Sequence, residues 1–432
     1  MKSCEFAQNL IDFISESPTA FHATSSAEKL LAAAGFSEVK EEEKWELKKG
    51  GKYYLKKNDS AIVAFRVGKS EIEENGFRLI GAHTDSPTFR IKPASEIVVE
   101  NSYVKLNTEP YGGLIYNTWM DRPLSIAGRV VLKSDDVFNP EKKFLNITRP
   151  IMIIPNMAIH MNRNINKGVE LNPQNDLLPV LTLINENMEK QGYLLNLIAD
   201  ELKVNKEDII DFDLYMYETE KGCIMGLNQE FISCSRLDDL QMVHAGIIAL
   251  INSNDSHTTN VMICYDNEEI GSMTKQGADS ELVPQILERI CICLGKERED
   301  YFRALGKSYL ISADNAHAVH PANVAKHDPT NRPMINKGPV IKVSAKQKYT
   351  TDADSSAVYE MICKKAQVPY QKFVNRSDEP GGSTIGPISA AHLNIRSVDI
   401  GNPTLSMHSI REMAGVEDHL NVYKSFVEFY NI

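Results

Sequence analysis

The chain has 432 residues, of which 42% are hydrophobic and 24% are charged, a balance typical of a globular protein with one large domain and a smaller one. The net charge of −11 argues against binding to nucleic acid or to anionic membranes, and no apolar run is long enough to span a membrane. The N-terminus lacks the apolar core of a signal peptide, and seven cysteines, an odd number, are typical of thiols in a reducing compartment, so a cytoplasmic location is expected.

The elements at the N-terminus are predicted to be helical. Periodic apolar residues between Ser3 and about Gly35 indicate two helices, and Gly35 stands where a helix commonly ends. Short strand-like runs follow, the last of them Phe77–Ile80. Farther along, turns separate further strand-like segments, one of which is Pro150–Ile154.

The positions of residues that could bind a metal ion, which are described below, predict the domain organisation. Apart from His160, hardly any lie between Ile91 and Phe231, whereas strands, helices and ligand-rich motifs alternate after Phe231. This pattern predicts an α/β fold with a mixed or mostly parallel sheet. We expect a discontinuous catalytic domain at 1–92 and 231–432, with an inserted β-rich domain at 93–230.

Two adjacent carboxylates, Glu268 and Glu269, follow the strand-like segment Asn260–Tyr265. Like charges a few ångströms apart repel, and burial raises their pKa values. A bound cation removes both costs, and one glutamate can then ligate metal while the other transfers protons. Alone, such a pair is more often a solvated acidic turn.

Four further groups of candidate ligands change that balance. His83 and Asp85 stand two residues apart after an apolar run, a spacing that puts both side chains on one face of a strand. Imidazole is a common metal ligand, and a nearby carboxylate typically orients it. Asp238 opens a helix-like run, where an aspartate is usually only a cap. Asp314 ends another apolar strand, and His408 lies near the C-terminus.

Taken together, these groups predict one site for two metal ions, because ligands in α/β proteins bind at the carboxyl edge of the sheet. Imidazole and carboxylate suit Zn²⁺, with Co²⁺ or Mn²⁺ as substitutes. Two ions with five protein ligands imply one bridging carboxylate and open positions for water and substrate. Glu268 is then the general base. The ligand set is His83, Asp238, Glu269, Asp314 and His408.

Several sequence blocks resemble the aspartyl aminopeptidase and vacuolar aminopeptidase I family of two-zinc exopeptidases. They occur in the family's order and span nearly the whole chain. The most specific are Ser312–Pro321 and Met407–Met413, whereas Asp266–Ser272 is shared with other two-zinc exopeptidases. The remaining blocks are Ser17–His22, Gly81–Pro87, Ser235–Leu240, Ile341–Thr351 and Gly381–Pro387.

The resemblance implies a role for each metal-site residue. Asp85 would orient His83, and Glu268 would take a proton from water and deliver it to the leaving amine. Asp239 stands where relatives often carry Asn and is kept only as an alternative bridge to Asp238. The implied ligands are His83 and Asp314 for one zinc, Glu269 and His408 for the other, and Asp238 as the bridge.

The resemblance also implies substrate-binding residues. Tyr349 would lie near the scissile carbonyl, Lys342 near an acidic substrate side chain, and His160 would enter the active site of a neighbouring subunit. On the residues alone, a surface lysine on a strand is an equal alternative for Lys342. Gly382 belongs to Gly381–Gly386, whose backbone can approach a substrate closely but lacks the ending of a phosphate-binding loop.

For the whole protein, the resemblance implies a β-rich dimerisation domain and a dodecamer built from dimers. The expected activity is removal of an N-terminal residue, Asp or Glu, from peptides by two-metal hydrolysis. Three alternatives remain open: an aminopeptidase for neutral or basic N-terminal residues, a two-metal carboxypeptidase or deacylase, and a non-catalytic metal-binding scaffold.

Overall fold

The computed structural model describes residues 2–184, 192–254 and 257–432. Across these residues the chain divides into two compact units: unit 1 (Met1–Asp85, Gly222–Met407 and Glu412–Ile432) and unit 2 (Ser86–Lys221 and His408–Arg411). The structural boundaries therefore fall a few residues before those expected from the sequence, and a short segment near the C-terminus belongs to unit 2.

The two helices expected near the N-terminus are present. A long helix also forms after Arg236, where the sequence has the predicted helix-like run. No helix among the described residues is long and apolar enough to cross a membrane. In chain order, the α-helices of the described residues are α1 (Ser3–Ser15), α2 (Ala20–Ala33), α3 (Ile72–Asn75), α4 (Tyr193–Leu202), α5 (Leu237–Asn252), α6 (Leu282–Cys293), α7 (Arg298–Lys307), α8 (Ala353–Ala366), α9 (Ile385–Leu393) and α10 (Val416–Asn431).

The strands fall into three sheets within the described residues. In chain order they are β1 (Ser37–Glu38), β2 (Lys52–Lys57), β3 (Ala61–Arg66), β4 (Phe77–His83), β5 (Thr88–Val99), β6 (Tyr103–Tyr111), β7 (Leu124–Leu132), β8 (Glu141–Asn146), β9 (Val180–Leu183), β10 (Ile209–Glu218), β11 (Cys223–Met225), β12 (Phe231–Cys234), β13 (Thr259–Tyr265), β14 (Tyr309–Ala313), β15 (Ala316–His317), β16 (Val340–Val343), β17 (Gln371–Val374), β18 (Arg396–Gly401), β19 (Pro403–Leu405) and β20 (Glu412–Gly415).

The largest sheet of unit 1 is mixed, as predicted. In the described part of the chain it has nine strands in the order β1-β2-β3-β13-β4-β14-β18-β16-β17. The four central strands, β13, β4, β14 and β18, are parallel, whereas β3 and β16 run antiparallel to their neighbours β13 and β18. Every residue of β13 and β14 is buried, because helices cover both faces of the sheet.

Alternating side chains of the central strands enter two separate cores. One core joins them to α1, α2, α5, α8 and α10, and the other joins them to α6, α7 and α9. This alternation is the period of two that a strand imposes on its side chains. A smaller sheet of unit 1 has the order β11-β12-β20-β19-β15. Both cores lie within unit 1.

Unit 2 is β-rich, as predicted for the insert. Its sheet, in the order β8-β7-β10-β5-β6-β9, is antiparallel at every pairing among the described strands. The prediction of a strand at Pro150–Ile154 was wrong, since Met152 and Ile153 form only isolated bridges. Proline lacks the backbone donor that a ladder needs, and this segment begins with Pro150 and is followed by Pro155.

Candidate metal centre

Three neighbouring strands bring candidate ligands to one edge of the large sheet. β13, β4 and β14 are adjacent and parallel, so their carboxyl ends meet at the same edge. His83 is the last residue of β4, and Asp314 directly follows β14. Glu268 and Glu269 open a short 3₁₀ helix just after β13. Parallel pairing therefore collects ligands that lie far apart in the sequence.

The ligand atoms form a compact buried cluster in unit 1. His83, Asp238, Asp239 and Asp314 each offer one atom, and these atoms lie within 4.8 Å of one another. All four side chains are buried. His83 Nε2 lies 3.6 Å from Asp238 Oδ1. A second set of ligand atoms, from His83, Glu268 and Glu269, meets the same 4.8 Å limit.

Asp85 connects the histidine to the glutamate pair. His83 Nδ1 lies 3.0 Å from the Asp85 carbonyl oxygen and 3.3 Å from Asp85 Oδ1. The backbone N–H groups of Glu268 and Glu269 donate to the two Asp85 carboxylate oxygens, each at 3.1 Å. One buried carboxylate therefore orients both the imidazole and the segment that carries the two glutamates.

The start of α5 presents two consecutive aspartates instead of a regular first turn. Asp238 has φ −82° and ψ 107°, and a cis peptide bond joins it to Asp239. The Asp238 N–H donates to Glu412 Oε2 at 2.9 Å, and the His83 N–H donates to Asp239 Oδ2 at 3.2 Å. Asp238 is therefore not merely a helix cap.

The electrostatics of the cluster call for a cation. Burial raises the pKa of Glu268 to about 8 and that of Asp314 to about 6, and in both cases repulsion from Asp238 adds to the rise. Burial also raises the pKa of Asp239 well above its usual range. Burial alone would lower the pKa of His83, but hydrogen bonds to Asp238 and Asp85 raise it well above its usual range.

The donor set fits zinc. Asp239 Oδ1 is buried and has no hydrogen-bond partner among the described residues. A divalent cation would compensate this crowded negative charge, and imidazole nitrogen with carboxylate oxygen is a common zinc environment.

Lys342 is buried next to the cluster, with only 2% of its surface exposed, so it is not a surface lysine. Its Nζ donates to the backbone carbonyls of Asp314 at 2.8 Å and Asn315 at 3.3 Å, and it lies 3.6 Å from Asp314 Oδ2. It also lies 5.3 Å from the centre of the buried Tyr349 ring. Burial lowers the pKa of Lys342, but the Asp314 and Asp399 carboxylates raise it, and the net result is a rise.

Three other predicted residues have different surroundings. Gly382 of unit 1 is exposed, and a side chain added there would meet nothing within 4 Å. His160 of unit 2 is exposed in a turn. His408, also in unit 2, has φ +68°, and its Nδ1 lies 2.8 Å from the Gly113 carbonyl oxygen. Because a carbonyl only accepts, Nδ1 carries the proton and Nε2 carries the lone pair that a ligand needs.

Sequence reasoning undervalued two acidic residues. The sequence predicts Asp239 only as an alternative bridge, yet its carboxylate belongs to the four-residue ligand group with His83, Asp238 and Asp314. Glu412, buried on β20, received no role although it accepts the Asp238 N–H. Glu412 lies inside the block Met407–Met413, so its position in a specific motif was the available signal.

A sheet edge that gathers imidazole and carboxylate side chains is typical of zinc-dependent hydrolases. Over residues 13–430 the chain matches the profile of the family described as Aminopeptidase I zinc metalloprotease (M18). A probable M18 family aminopeptidase 2 of Clostridium novyi (strain NT) is 62% identical over 428 residues, which cover 99% of this chain and 99% of the relative.

Solved structures agree with this match. A chain from a complex of Ape4 and Nbr1 superposes with a TM-score of 0.95 at 37% identity, over 99% of this chain and 86% of that chain. A chain of the mApe1 dodecamer of S. cerevisiae gives a TM-score of 0.85 at 28% identity, over 98% of this chain and 96% of that chain. The chain therefore belongs to the M18 family, and it is a zinc-dependent aminopeptidase. The resemblance, the fold class and the type of enzyme expected from the sequence are confirmed.

Proposed function

We propose that this aminopeptidase removes an acidic N-terminal residue from peptides with the help of two zinc ions per subunit, for which Co²⁺ or Mn²⁺ can substitute. The observation that carries the proposal is the buried cluster of ligand atoms within 4.8 Å of one another, which contains more carboxylates than one ion needs. The resemblance of the motifs to two-zinc exopeptidases supports the same number of ions.

The proposed ligands follow from the two groups in unit 1 and from the family motifs. His83 and Asp314 would bind one zinc, and Glu269 and His408 the other, with Asp238 shared between them. Asp238 suits the shared position because its carboxylate lies beside His83 and its backbone is anchored to Glu412. When bound, the ions would polarise the scissile carbonyl and increase the acidity of water. His408 is included because its Nδ1 contact leaves the lone pair on Nε2.

Glu268 is the proposed general base. It is adjacent to a ligand but is not itself in the ligand set, and its N–H is held by Asp85. Burial raises the pKa of Glu268 to about 8, and the positive charge of the bound ions would lower it. A carboxyl whose pKa lies near neutral pH can take a proton from the attacking water and return it to the leaving amine. Asp85 would fix the position of Glu268 relative to His83.

The preference for an acidic residue is the finer part of the proposal. Lys342 supplies a positive charge at the edge of the cluster, and Tyr349 lies beneath it. The alternative, an enzyme for neutral or basic N-terminal residues, has an observation in its favour, because the Lys342 ammonium already donates to Asp314 and Asn315 carbonyls. A lysine committed to Asp314 leaves fewer donors for a substrate carboxylate.

The proposed assembly is a homo-oligomer, a dodecamer built from dimers, as in the solved dodecameric relative. We propose that His160 enters the active site of a neighbouring subunit. Its segment supports an interface role, since Met157, Ile159 and Met161 around it are 55%, 44% and 77% exposed. Light scattering measures the assembly, and His160→Ala should lower activity without changing the mass. A cytoplasmic location stays a prediction.

Activity on matched peptides that begin with Asp, Glu, Leu or Lys tests the proposal, before and after chelation and with zinc added back. Zinc-dependent cleavage that favours Asp and Glu supports it in full. Zinc-dependent cleavage that favours Leu or Lys keeps the mechanism and refutes the acidic preference. Cleavage of N-acetylated peptides would instead indicate a carboxypeptidase or deacylase. Retention of two zinc ions without any hydrolysis would indicate a scaffold.

A further inference from the structure

We propose that Asp399, which lies outside the metal-ligand set, is a positioning residue that holds two substrate-facing segments in place. One segment carries Tyr349 and the other carries Gly382. The inference rests on the proposed function of the same site, because it assumes that peptide binds along these segments.

Asp399 is a completely buried carboxylate on β18. Its Oδ1 accepts hydrogen bonds from Ser312 Oγ at 2.6 Å and from Thr384 Oγ1 at 2.7 Å. Its Oδ2 accepts from the Thr350 N–H at 2.5 Å, and its own N–H donates to Thr351 Oγ1 at 2.9 Å. A buried carboxylate needs such donors, since an uncompensated charge is expensive to remove from water.

Each donor to the Asp399 carboxylate stands next to a predicted site residue. Ser312 lies on β14, two residues before the candidate ligand Asp314, and pairs with Asp399 in the parallel register of β14 and β18. Thr350 directly follows Tyr349, and Thr384 lies two residues after Gly382. The carboxylate therefore connects one metal-ligand strand to two segments that would face the substrate.

The same two segments are also connected nearer the surface. Lys348 Nζ donates to the carbonyl oxygens of Pro380 at 2.7 Å and Gly381 at 2.8 Å. In return, Ser383 Oγ donates to the Lys348 carbonyl oxygen at 3.0 Å. The two segments are therefore joined at two places, by buried Asp399 and by half-buried Lys348, and these two sets of hydrogen bonds are here called the clasp.

The residues around Asp399 are adapted to a charged group at this position. A Cβ added to Gly386 would lie 2.3 Å from Asp399 Oδ2, so a glycine lets the first turn of α9 approach the carboxylate. The Thr384 hydroxyl also accepts the Gly386 N–H at 3.2 Å as the N-cap of α9. The positive end of the helix dipole stabilises a carboxylate near that terminus.

Thr384 is the best position for a test, because its hydroxyl connects the glycine-rich segment to Asp399. Thr384→Val keeps the side-chain shape but removes both hydrogen bonds of the hydroxyl, the one to Asp399 Oδ1 and the one from the Gly386 N–H, whereas Thr384→Ser keeps the hydroxyl. With a peptide that the wild-type enzyme cleaves, KM of Thr384→Val should rise about three- to tenfold, the range expected for loss of the Asp399 hydrogen bond alone, with a smaller change in kcat. Its zinc content should be unchanged, and Thr384→Ser should restore KM to within about twofold.

A matched control separates positioning from stability alone. Thr259 is another buried threonine, and its Oγ1 accepts the Gly68 N–H at 3.1 Å at the start of β13, the end of that strand opposite Glu268. Thr259→Val should lower the melting temperature to a similar extent while leaving KM unchanged. Lys348→Met cuts the half-buried end of the clasp and should raise KM in the same direction, which gives a second variant if Thr384→Val does not fold.

The possible outcomes are distinct. If the wild-type protein cleaves no free-amine peptide, the proposed function fails before any variant is compared. If it does cleave, an unchanged KM in both Thr384→Val and Lys348→Met overturns the positioning role. Failure of Thr384→Ser to restore KM, or an equal rise of KM in Thr259→Val, also overturns it. A KM increase confined to the clasp variants, with full zinc content, supports it.

Discussion

Replacement of Lys342 by methionine should destabilise the zinc-free protein far more than the zinc-loaded protein. The buried ammonium of Lys342 lies 3.6 Å from Asp314 Oδ2 and donates to two backbone carbonyls. Without zinc, Lys342 compensates the Asp314 charge more strongly than His83, the other cation that lowers the pKa of Asp314. With zinc bound at Asp314, the metal would supply that compensation, and the lysine would become less important.

The expected loss in the free energy of unfolding follows from these contacts. At 3.6 Å, the attraction between Lys342 and Asp314 is about 4–5 kcal/mol for an effective dielectric constant of about 20. Protonation limits the loss, because a carboxyl with a pKa of about 6 binds a proton at about pH 7.5 for about 2 kcal/mol. The two carbonyls that lose a charged donor add on the order of 1–3 kcal/mol. We therefore expect a loss of about 3–5 kcal/mol in the zinc-free protein, the usual range for breaking a buried pair.

The dependence on pH has a definite sign. Burial raises the folded-state pKa of Asp314 to about 6, above its ordinary value of 3.8, and removal of the lysine should raise it further. Above about pH 6, the variant keeps a proton that its unfolded chain releases, so its stability falls relative to wild type by about 1.4 kcal/mol per pH unit. Zinc bound by Asp314, as proposed, would keep this carboxylate ionised, so the slope should disappear in the loaded protein.

Denaturant unfolding of both proteins with excess chelator and with saturating zinc, between about pH 6 and pH 8, measures these differences. Lys56→Met is a matched control, because Lys56 Nζ lies 2.8 Å from Glu28 Oε1 but its side chain is 23% exposed. That change should cost at most about 1 kcal/mol, equally with and without zinc. A Lys342→Met loss that is the same in both states and flat in pH would refute the pairing with Asp314.

Three further predictions concern the proposed base, a proposed ligand and a buried histidine pair. Glu268→Gln should retain both zinc ions and lose at least about 10²-fold in kcat; substantial residual turnover would contradict its role as base. His408→Ala should lose one of two ions by metal analysis, whereas full occupancy would remove it from the ligand set. His244 and His419, with ring nitrogens 3.0 Å apart, have pKa values lowered by burial, that of His244 to about 3. They stay neutral when folded, so the free energy of unfolding should fall below about pH 6.5 by about 1.4 kcal/mol per pH unit per histidine. In His419→Gln, the free energy of unfolding, measured with denaturant, should fall less steeply as the pH is lowered. An unchanged pH dependence would contradict this.

The end of each catalytic strand could be predicted from the sequence, because long apolar runs followed by polar residues are local signals. His83, Glu269 and Asp314 were selected in this way, and the structure brings them to one sheet edge. Which strands are neighbours is not a local property. Only the general tendency of α/β sheets to bring strand ends to one edge, together with the family motifs, predicts that these ligands meet.

The environments of single polar residues were much harder to predict. On the residues alone, Lys342 could equally be a surface lysine on a short strand, whereas the structure buries it 3.6 Å from Asp314 Oδ2, on a strand that pairs with β18. The environment of Asp399 is equally hidden in the sequence, since Ser312, Thr350 and Thr384, which donate to its carboxylate, come from different segments of the chain. The sequence predicts Asp239 only as an alternative bridge, because relatives often carry Asn there, yet its carboxylate lies in the cluster with His83 and Asp314. Tertiary contacts determine these roles.

The position of β13 between β3 and β4 has a consequence for biosynthesis. β3 and β4 are consecutive in the chain, but Thr259–Tyr265 separates them in the sheet, antiparallel to one and parallel to the other. Both β3 and β4 leave the ribosome long before β13, which pairs with both of them. Their edges are therefore exposed during translation. The longer segment of unit 2, Ser86–Lys221, is synthesised in that interval. Completion of the central sheet is therefore a late step, and chains truncated before residue 259 should be prone to aggregation.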